Sequence, residues 1–258
     1  MHSTEEKLKA FERLLEIMDE LREKCPWDRE QTLDSLRNLT IEETYELADA
    51  IMDQDLNEIR KELGDLLLHI VFYAKIGSEK GAFDIGDVLN GINEKLVFRH
   101  PHVFGDRKVK DSEEVIENWE ELKMKEGNRS VLAGVPISLP AMIKSHRIQD
   151  KVRAVGFDWD HREQVWDKVI EEINEVRHEL NNGQVKERME DEIGDLLFSI
   201  VNAARLYDIE PETALERTNR KFIKRFKYLE EKAREMGRSL KEMSLQEMEA
   251  IWQEAKSI

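Results

Sequence analysis

The chain has 258 residues and a formal net charge of −16 at pH 7. The length fits one large or two ordinary domains, and the acidic charge argues against long nucleic acid as a partner, because no broad basic surface is available to displace counterions. No apolar run approaches the roughly 20 residues that span a bilayer, and the N-terminus lacks the basic-then-apolar order of a signal peptide. We therefore expect a cytoplasmic protein with no membrane partner.

The composition predicts an all-α protein. Charged residues make up 37% of the chain and apolar residues 40%, and there are only five prolines. This balance suits helices that each bury one apolar stripe and expose the rest to solvent. The single cysteine, Cys25, excludes an intramolecular disulfide.

Helical signals begin near the start of the chain. Residues 7–24 carry apolar side chains at steps of three and four, which predicts an amphipathic helix that ends at Cys25 and Pro26. A short element follows, after which Thr40 is placed to cap a third helix with Glu43 in the capping-box position. Under that interpretation Glu43 is a capping residue rather than a ligand.

An acidic pattern then occurs twice. Residues 41–46 and 62–67 in the first half return as residues 170–175 and 192–197 in the second. Each copy contains a Glu-x-x-Glu and a Glu-x-x-Asp on predicted helices, so four carboxylates can converge from two helices. The repeated carboxylates are Glu43, Glu46, Glu62 and Asp65 in the first copy and Glu172, Glu175, Glu192 and Asp195 in the second.

Converging carboxylates favour a hard divalent cation. Taken alone, a Glu-x-x-Glu on a helix is usually a solvated face. Here each pair borders the apolar stripe that should face a neighbouring helix, where like charges would repel unless a cation neutralises them. Mg²⁺ takes oxygen ligands of this kind and leaves positions open for a triphosphate. The sequence therefore predicts Mg²⁺ as cofactor, with Mn²⁺ as a substitute.

A glycine lies inside each second acidic block. Gly64 and Gly194 interrupt otherwise helical stripes, at a cost of about 1 kcal/mol of helix propensity relative to alanine. Their recurrence predicts the same geometry twice, either a close contact between helices or the approach of a ligand.

Basic and aromatic residues recur as well. Lys95 with Arg99, and Lys221 with Arg225, are spaced i,i+4 on predicted helices behind a shared asparagine. Such pairs can bind phosphate oxygens, although a single pair is more often a surface charge. Further along each half stand Trp119 with Lys123 and Trp252 with Lys256. The rings could stack on a nucleobase, but packing beneath a terminal helix is the commoner role.

The domain boundary is predicted from residues 127–139, a stretch that is poor in helix signals. It separates a helical domain at 1–126 from a second at 140–258. Trp27-Asp28 also matches Trp159-Asp160, so the repeated blocks occur in the same order in both halves. Two tandem repeated helical domains follow from this order.

With these motifs the chain resembles the MazG family of nucleoside triphosphate pyrophosphohydrolases, within the all-α NTP pyrophosphatases that share a Glu-x-x-Glu followed by a Glu-x-x-Asp. The resemblance covers nearly the whole chain. Besides the acidic blocks, the motifs that carry it are CPWD at 25–28, RHPHVF at 99–104, SLPA at 138–141 and VGFDW at 155–159.

The resemblance implies hydrolysis of an NTP between the α and β phosphates, giving an NMP and pyrophosphate, with Mg²⁺ required. The family's metal ligands fall on the eight repeated carboxylates, and Glu42 or Glu171 would orient the attacking water. Lys221 and Arg225 would stabilise charge on the departing pyrophosphate. The residues that would contact the nucleotide are Lys221, Arg225 and Trp252 in the second half and, by repeat symmetry, Lys95, Arg99, Trp119 and Lys123 in the first.

The resemblance further implies helical modules of the four-helix-bundle type that are completed by a homodimer, and broad base tolerance with ATP among the substrates. Neither half has lost an acidic ligand, so either half or both can be active. The cellular role would be nucleotide pool cleaning or starvation signalling.

Two other functions stay open at this point. One is a non-catalytic helical regulator that binds nucleotides or proteins through its acidic surface. The other is a house-cleaning hydrolase that acts on modified nucleotides. An enzyme should be stabilised against heat by Mg²⁺ and nucleotide together, whereas a non-catalytic bundle should not.

Overall fold

A computed structural model describes the chain except for residues 112–113, 116–117, 120–121, 123–129, 183–184 and 258. The described residues form helices joined by turns, without a strand among them, which confirms the all-α prediction. The chain divides into two compact units, residues 1–108 and 109–258. The linker expected at 127–139 stays a prediction, since part of it lies outside the described residues.

Unit 1 is built around the pairing of two long helices. Its helices are α1 (Thr4–Lys24), α2 (Pro26–Glu30), α3 (Leu33–Met52), α4 (Leu56–Glu79), α5 (Ile85–Arg99) and α6 (Pro101–Phe104). A short connection brings α4 back along α3, and α1 packs against α4. The core lies where these three helices meet. Its most buried side chains are Met18, Leu36, Val71, Phe72 and Ile76.

The start of α3 differs from the sequence prediction. Thr32 caps the helix and exchanges hydrogen bonds with Ser35 in a capping box. The predicted cap at Thr40 is therefore wrong: its hydroxyl donates to the Leu36 carbonyl at 3.0 Å and meets the Tyr73 hydroxyl at 2.7 Å. An earlier cap leaves Glu43 in the middle of α3, so Glu43 is not a capping residue.

Unit 2 repeats this helix pair. Its helices are α7 (Ala141–Arg153), α8 (Gln164–Asn181), α9 (Lys186–Leu206), α10 (Pro211–Glu235) and α11 (Leu245–Ala255), with a 3₁₀ turn at Leu240–Glu242. α8 packs along α9 as α3 packs along α4, α7 contacts α9 and α10, and α11 covers the end of α10. No helix in the described part of the chain combines the length and apolar composition needed to cross a membrane.

An ion pair fastens the connection between α7 and α8 to α9. Arg205, which is 5% exposed, donates to both carboxylate oxygens of Asp158 at 3.0 and 2.5 Å. Burial would raise the pKa of Asp158, but the bonds from Arg205 and from the Trp159 backbone N–H hold that pKa below its usual value. Asp28 in unit 1 is likewise buried beside an arginine. The match of Trp27-Asp28 with Trp159-Asp160 stays a prediction from the sequence.

Truncation of the unit 1 core tests this packing. Leu36 is 1% exposed, so we expect Leu36→Ala to lower the free energy of unfolding by about 2–5 kcal/mol through lost burial and a residual cavity. Urea denaturation followed by circular dichroism measures the change. Leu8→Ala, at a leucine 64% exposed on α1, is the control and should change it by no more than about 0.5 kcal/mol. Equal losses in the two variants would contradict the assigned core.

Candidate metal centres in the two units

The first acidic centre lies where α3 and α4 pack together. Glu43 comes from α3, and Glu62 and Asp65 come from α4, with one carboxylate oxygen of each within 4.8 Å of the others. The three-residue spacing places Glu62 and Asp65 on one face of α4. Glu43 and Glu62 are half-buried and Asp65 is exposed.

The second centre repeats this arrangement between α8 and α9. Glu172, Glu192 and Asp195 bring carboxylate oxygens within 4.8 Å of one another, and Glu172 is only 4% exposed. A groove of about 670 Å³ opens beside them. The lining residues are Asp167, Ile170, Glu171, Asn174, Glu175, His178, Glu179 and Glu192.

The fourth predicted carboxylate of each set lies next to its triad. The charge of Glu46 acts on Glu43 and on Glu62. Glu175 lies beside the Glu172 carboxylate and within electrostatic range of Glu192. The structure thus brings together all eight predicted acids as two groups of four, with three of each group in tight contact.

Crowding of like charges changes the proton affinity of these groups. Burial, followed by the charges of neighbouring carboxylates, raises the pKa of Glu43 and that of Glu62. The adjacent Glu172 carboxylate, then burial, raises the pKa of Glu175. A cation placed among the carboxylates would relieve this repulsion.

Two buried oxygens show that the donor set fits a metal ion. Oε2 of Glu62 and Oε2 of Glu172 are buried, and neither has a hydrogen-bond donor within the described ranges. Leaving a buried polar atom unsatisfied is costly. A hard divalent cation would satisfy both oxygens, and a set made entirely of carboxylates suits Mg²⁺ or Mn²⁺.

The two helical glycines border open space. A Cβ built on Gly64 or on Gly194 would meet nothing within 4 Å. No close helix contact among the described residues therefore requires a glycine at either position. Each stands between two carboxylates of its centre, so ligand approach is the alternative that the geometry leaves.

The predicted nucleotide contacts of unit 2 cluster on α10 and α11. The Arg225 guanidinium lies 6.0 Å from the centre of the Trp252 ring, and the centres of the Phe222 and Trp252 rings are 4.9 Å apart. Lys221 is exposed one turn before Arg225. None of the four lines the groove beside Glu172. Arg225 and Trp252 thus lie close to each other, but outside the groove beside the carboxylates of unit 2.

The corresponding residues of the first half do not all belong to unit 1. Lys95 is exposed and Arg99 half-buried at the end of α5. Trp119 is half-buried and belongs to the second unit. Lys123 lies outside the described residues.

Sequence reasoning missed Lys168. Its ammonium lies 2.7 Å from Oε1 of Glu172 and 2.8 Å from Oε1 of Glu171, so it links the buried acid to the exposed one. The i,i+4 spacing to Glu172 was the available signal. Glu42, the counterpart of Glu171, is exposed and acts on Glu43 through its charge.

A histidine beside the first centre was also missed. His69 is 7% exposed, and no described residue bonds its Nδ1. It follows Asp65 by one helical turn, and the repeat places Ser199 at the matching position. Burial lowers the pKa of His69, and the charge of Asp65 opposes that shift.

Removal of one repelling charge should stabilise the metal-free protein. Because its pKa is raised, Glu43 binds a proton more strongly in the folded than in the unfolded chain. Its ionised form thus destabilises the fold at neutral pH, and this effect fades as the pH falls towards the raised pKa. We expect Glu43→Gln to raise the unfolding temperature by a few degrees in EDTA at pH 7.5, and to gain less than the wild type from Mg²⁺.

Thermal unfolding followed by circular dichroism, in EDTA and in MgCl₂, measures both effects. Glu12→Gln, at an exposed carboxylate of α1, is the control for the loss of one negative charge. If the wild type and Glu43→Gln unfold at the same temperature in EDTA, repulsion between the carboxylates does not destabilise the metal-free protein.

Comparison with known proteins agrees with the duplicated site. A family model described as the MazG nucleotide pyrophosphohydrolase domain matches residues 31–104 and 161–230, once in each unit. An Escherichia coli K12 protein named nucleoside triphosphate pyrophosphohydrolase is 42% identical over 257 residues, covering 96% of this chain and 98% of that protein. A Thermotoga maritima protein named nucleoside triphosphate pyrophosphohydrolase/pyrophosphatase MazG is also 42% identical, over 95% of each chain.

Among solved structures, a mazG-related protein from Thermotoga maritima is 30% identical and matches 44% of this chain and 98% of its own, with a TM-score of 0.40. The duplicated family match and the two relatives aligned over almost their full length place this chain in the MazG nucleotide pyrophosphohydrolase family.

Proposed function

We propose that this protein is a Mg²⁺-dependent nucleoside triphosphate pyrophosphohydrolase that releases an NMP and pyrophosphate from a broad range of (d)NTPs. The observation that carries the proposal is the pair of carboxylate centres with buried, unsatisfied oxygens. The names of the relatives from E. coli and T. maritima support the reaction. Cleavage between the α and β phosphates is the bond choice that yields these two products.

The acids of each centre would hold the metal. In unit 2 these are Glu172, Glu175, Glu192 and Asp195, and in unit 1 they are Glu43, Glu46, Glu62 and Asp65. Mg²⁺ bound there would neutralise the triphosphate and supply an acidic water. Burial of Glu172 fixes its carboxylate before a ligand arrives, which lowers the entropic cost of binding.

Lys221 and Arg225 would bind phosphate oxygens and stabilise the charge that develops on departing pyrophosphate. Arg225 presents a planar fork suited to two oxygens. Trp252, which contacts Phe222 and Arg225, would offer its ring to the base or sugar. Stacking on a ring depends little on base identity, which accounts for broad base tolerance.

Glu171 is placed to orient the attacking water. It is exposed at the rim of the groove, and Lys168 holds one of its oxygens at 2.8 Å, which leaves the other free to accept a proton from water. Glu42 has the same position in unit 1, but no lysine among the described residues pairs with it.

A homodimer would complete the site. α5 has no buried residue, and α10 exposes an apolar stripe. A helix of 15 residues such as α5 is marginal in water without packing. The exposed apolar residues are Val88, Leu89, Ile92 and Leu96 on α5 and Leu215, Phe222, Ile223 and Phe226 on α10. A second copy would cover these faces and bring the cations of α10 to an acidic groove.

Analysis of the products tests the reaction. We expect wild-type protein with Mg²⁺ and each common NTP or dNTP to release the NMP and pyrophosphate in equal amounts, with little NDP or phosphate. Chromatographic separation of the products provides the measurement. Glu172→Gln and Glu43→Gln should each reduce turnover by on the order of 100-fold if its own unit is active, because a ligand of the metal is lost.

Glu190→Gln is the matched control, since Glu190 is an exposed acid of α9 that pairs with Lys186 rather than with the cluster. It should keep wild-type turnover. Absence of any nucleotide cleavage by folded protein would reject the proposed reaction for ordinary NTPs and favour a modified-nucleotide substrate or a binding role.

Substitution of apolar residues on the exposed faces of α5 and α10 by glutamate tests whether the protein forms the proposed dimer. We expect the wild type to be a dimer in light scattering coupled to gel filtration. Leu89→Glu and Ile223→Glu should shift it to monomer and lower turnover together, since the charge would be buried at the contact. Leu245→Glu, at a leucine 77% exposed on α11 outside both faces, should do neither. A wild-type monomer with full activity would refute the dimer.

A further inference from the structure

The two acidic centres differ at the position four residues before their first buried acid. In unit 2 this position is Lys168, whose ammonium lies 2.7 Å from Oε1 of Glu172. In unit 1 the repeat places Leu39 there, ahead of Glu43. Leu39 packs against the core of unit 1 instead of reaching the acids.

Lys168 compensates charge inside the second centre. Glu172 is 4% exposed, so its attraction to the ammonium is only weakly screened by solvent. The lysine ammonium also lies 2.8 Å from Oε1 of Glu171, so it bonds two acids at once. A divalent cation that binds Glu172 must compete with a positive charge already in place.

The first centre has no such charge among the described residues. The groups that act most strongly on Glu43 and Glu62, after burial, are carboxylates. Lys61 precedes Glu62 in sequence, but its ammonium is paired with Glu58 at 2.5 Å. Unit 1 therefore presents a cluster of comparable geometry whose negative charge is uncompensated.

From this difference we propose that unit 1 binds a divalent cation in the absence of nucleotide. Unit 2 binds its cation weakly until a triphosphate supplies further negative oxygens. The two cation affinities differ because unit 2 has Lys168 at the position where unit 1 has Leu39. The inference rests on the metal centres of the proposed function, but it concerns cation binding in the absence of any reaction.

Titration of the metal-free, full-length protein with Mn²⁺ alone tests this inference, with the free ion counted by its electron paramagnetic resonance signal. We expect two classes of site whose Kd values differ by on the order of tenfold or more, because one full charge separates the centres. Glu43→Gln should remove the tight class and Glu172→Gln the weak class.

Substitution of Lys168, and of Leu39 at the matching position, tests more directly whether this residue sets the cation affinity. Lys168→Met should tighten the weak class towards the tight one, while Lys168→Arg, which keeps the charge, should leave it weak. Leu39→Lys should weaken the tight class. Since Leu39 contacts the core, circular dichroism and thermal unfolding must first show that this variant is folded, and Lys168→Met decides the matter if it is not.

A single class of Mn²⁺ site in the wild type, no Mn²⁺ binding at all, or a Kd that Lys168→Met leaves unchanged would overturn the proposal. These outcomes are separate from failure of the proposed function, which is judged from the hydrolysis products. A protein that hydrolyses NTPs with two equal Mn²⁺ sites would retain the function and lose this inference.

Discussion

The packing of one helix pair in each unit is the constraint on which the rest depends. Apolar stripes hold α3 against α4 and α8 against α9, and removal of those stripes from water stabilises the pairs. The same contact brings carboxylates from both helices within 4.8 Å. The fold thus offsets the repulsion between like charges at the rim of each pair by hydrophobic burial within it, where side chains such as Leu36 and Val165 are almost fully enclosed.

This arrangement leaves polar atoms without partners and apolar surface exposed to solvent. The acids keep buried oxygens without donors, and helices α5 and α10 keep apolar faces in solvent. Both features are unfavourable for the stability of the isolated chain, and unfavourable features of this kind concentrate at functional sites. In the function that we propose, a cation would satisfy the carboxylate oxygens and a second copy of the chain would cover the apolar faces.

The repeat also shows how one scaffold diverges. The carboxylates are kept in both units, but the residues around them are not: Lys168 replaces Leu39, and Ser199 replaces His69. Each exchange alters charge or polarity beside the acids while leaving the helix pair in place. Two centres with the same ligands can therefore differ in cation affinity, because a neighbouring charge changes the electrostatic free energy of the bound ion.

The sequence by itself determined the helical class, the tandem repeat and the identity of the acids that share a helix face, because periodicity and i,i+3 spacing are local properties of one helix. It misplaced the start of α3 at Thr40, where the structure has the cap at Thr32. Only the tertiary structure decided that acids of different helices converge, that Glu172 is buried and that Lys168 neutralises it. These features depend on how separate helices pack and on which side chains that packing removes from water, and no local pattern specifies either.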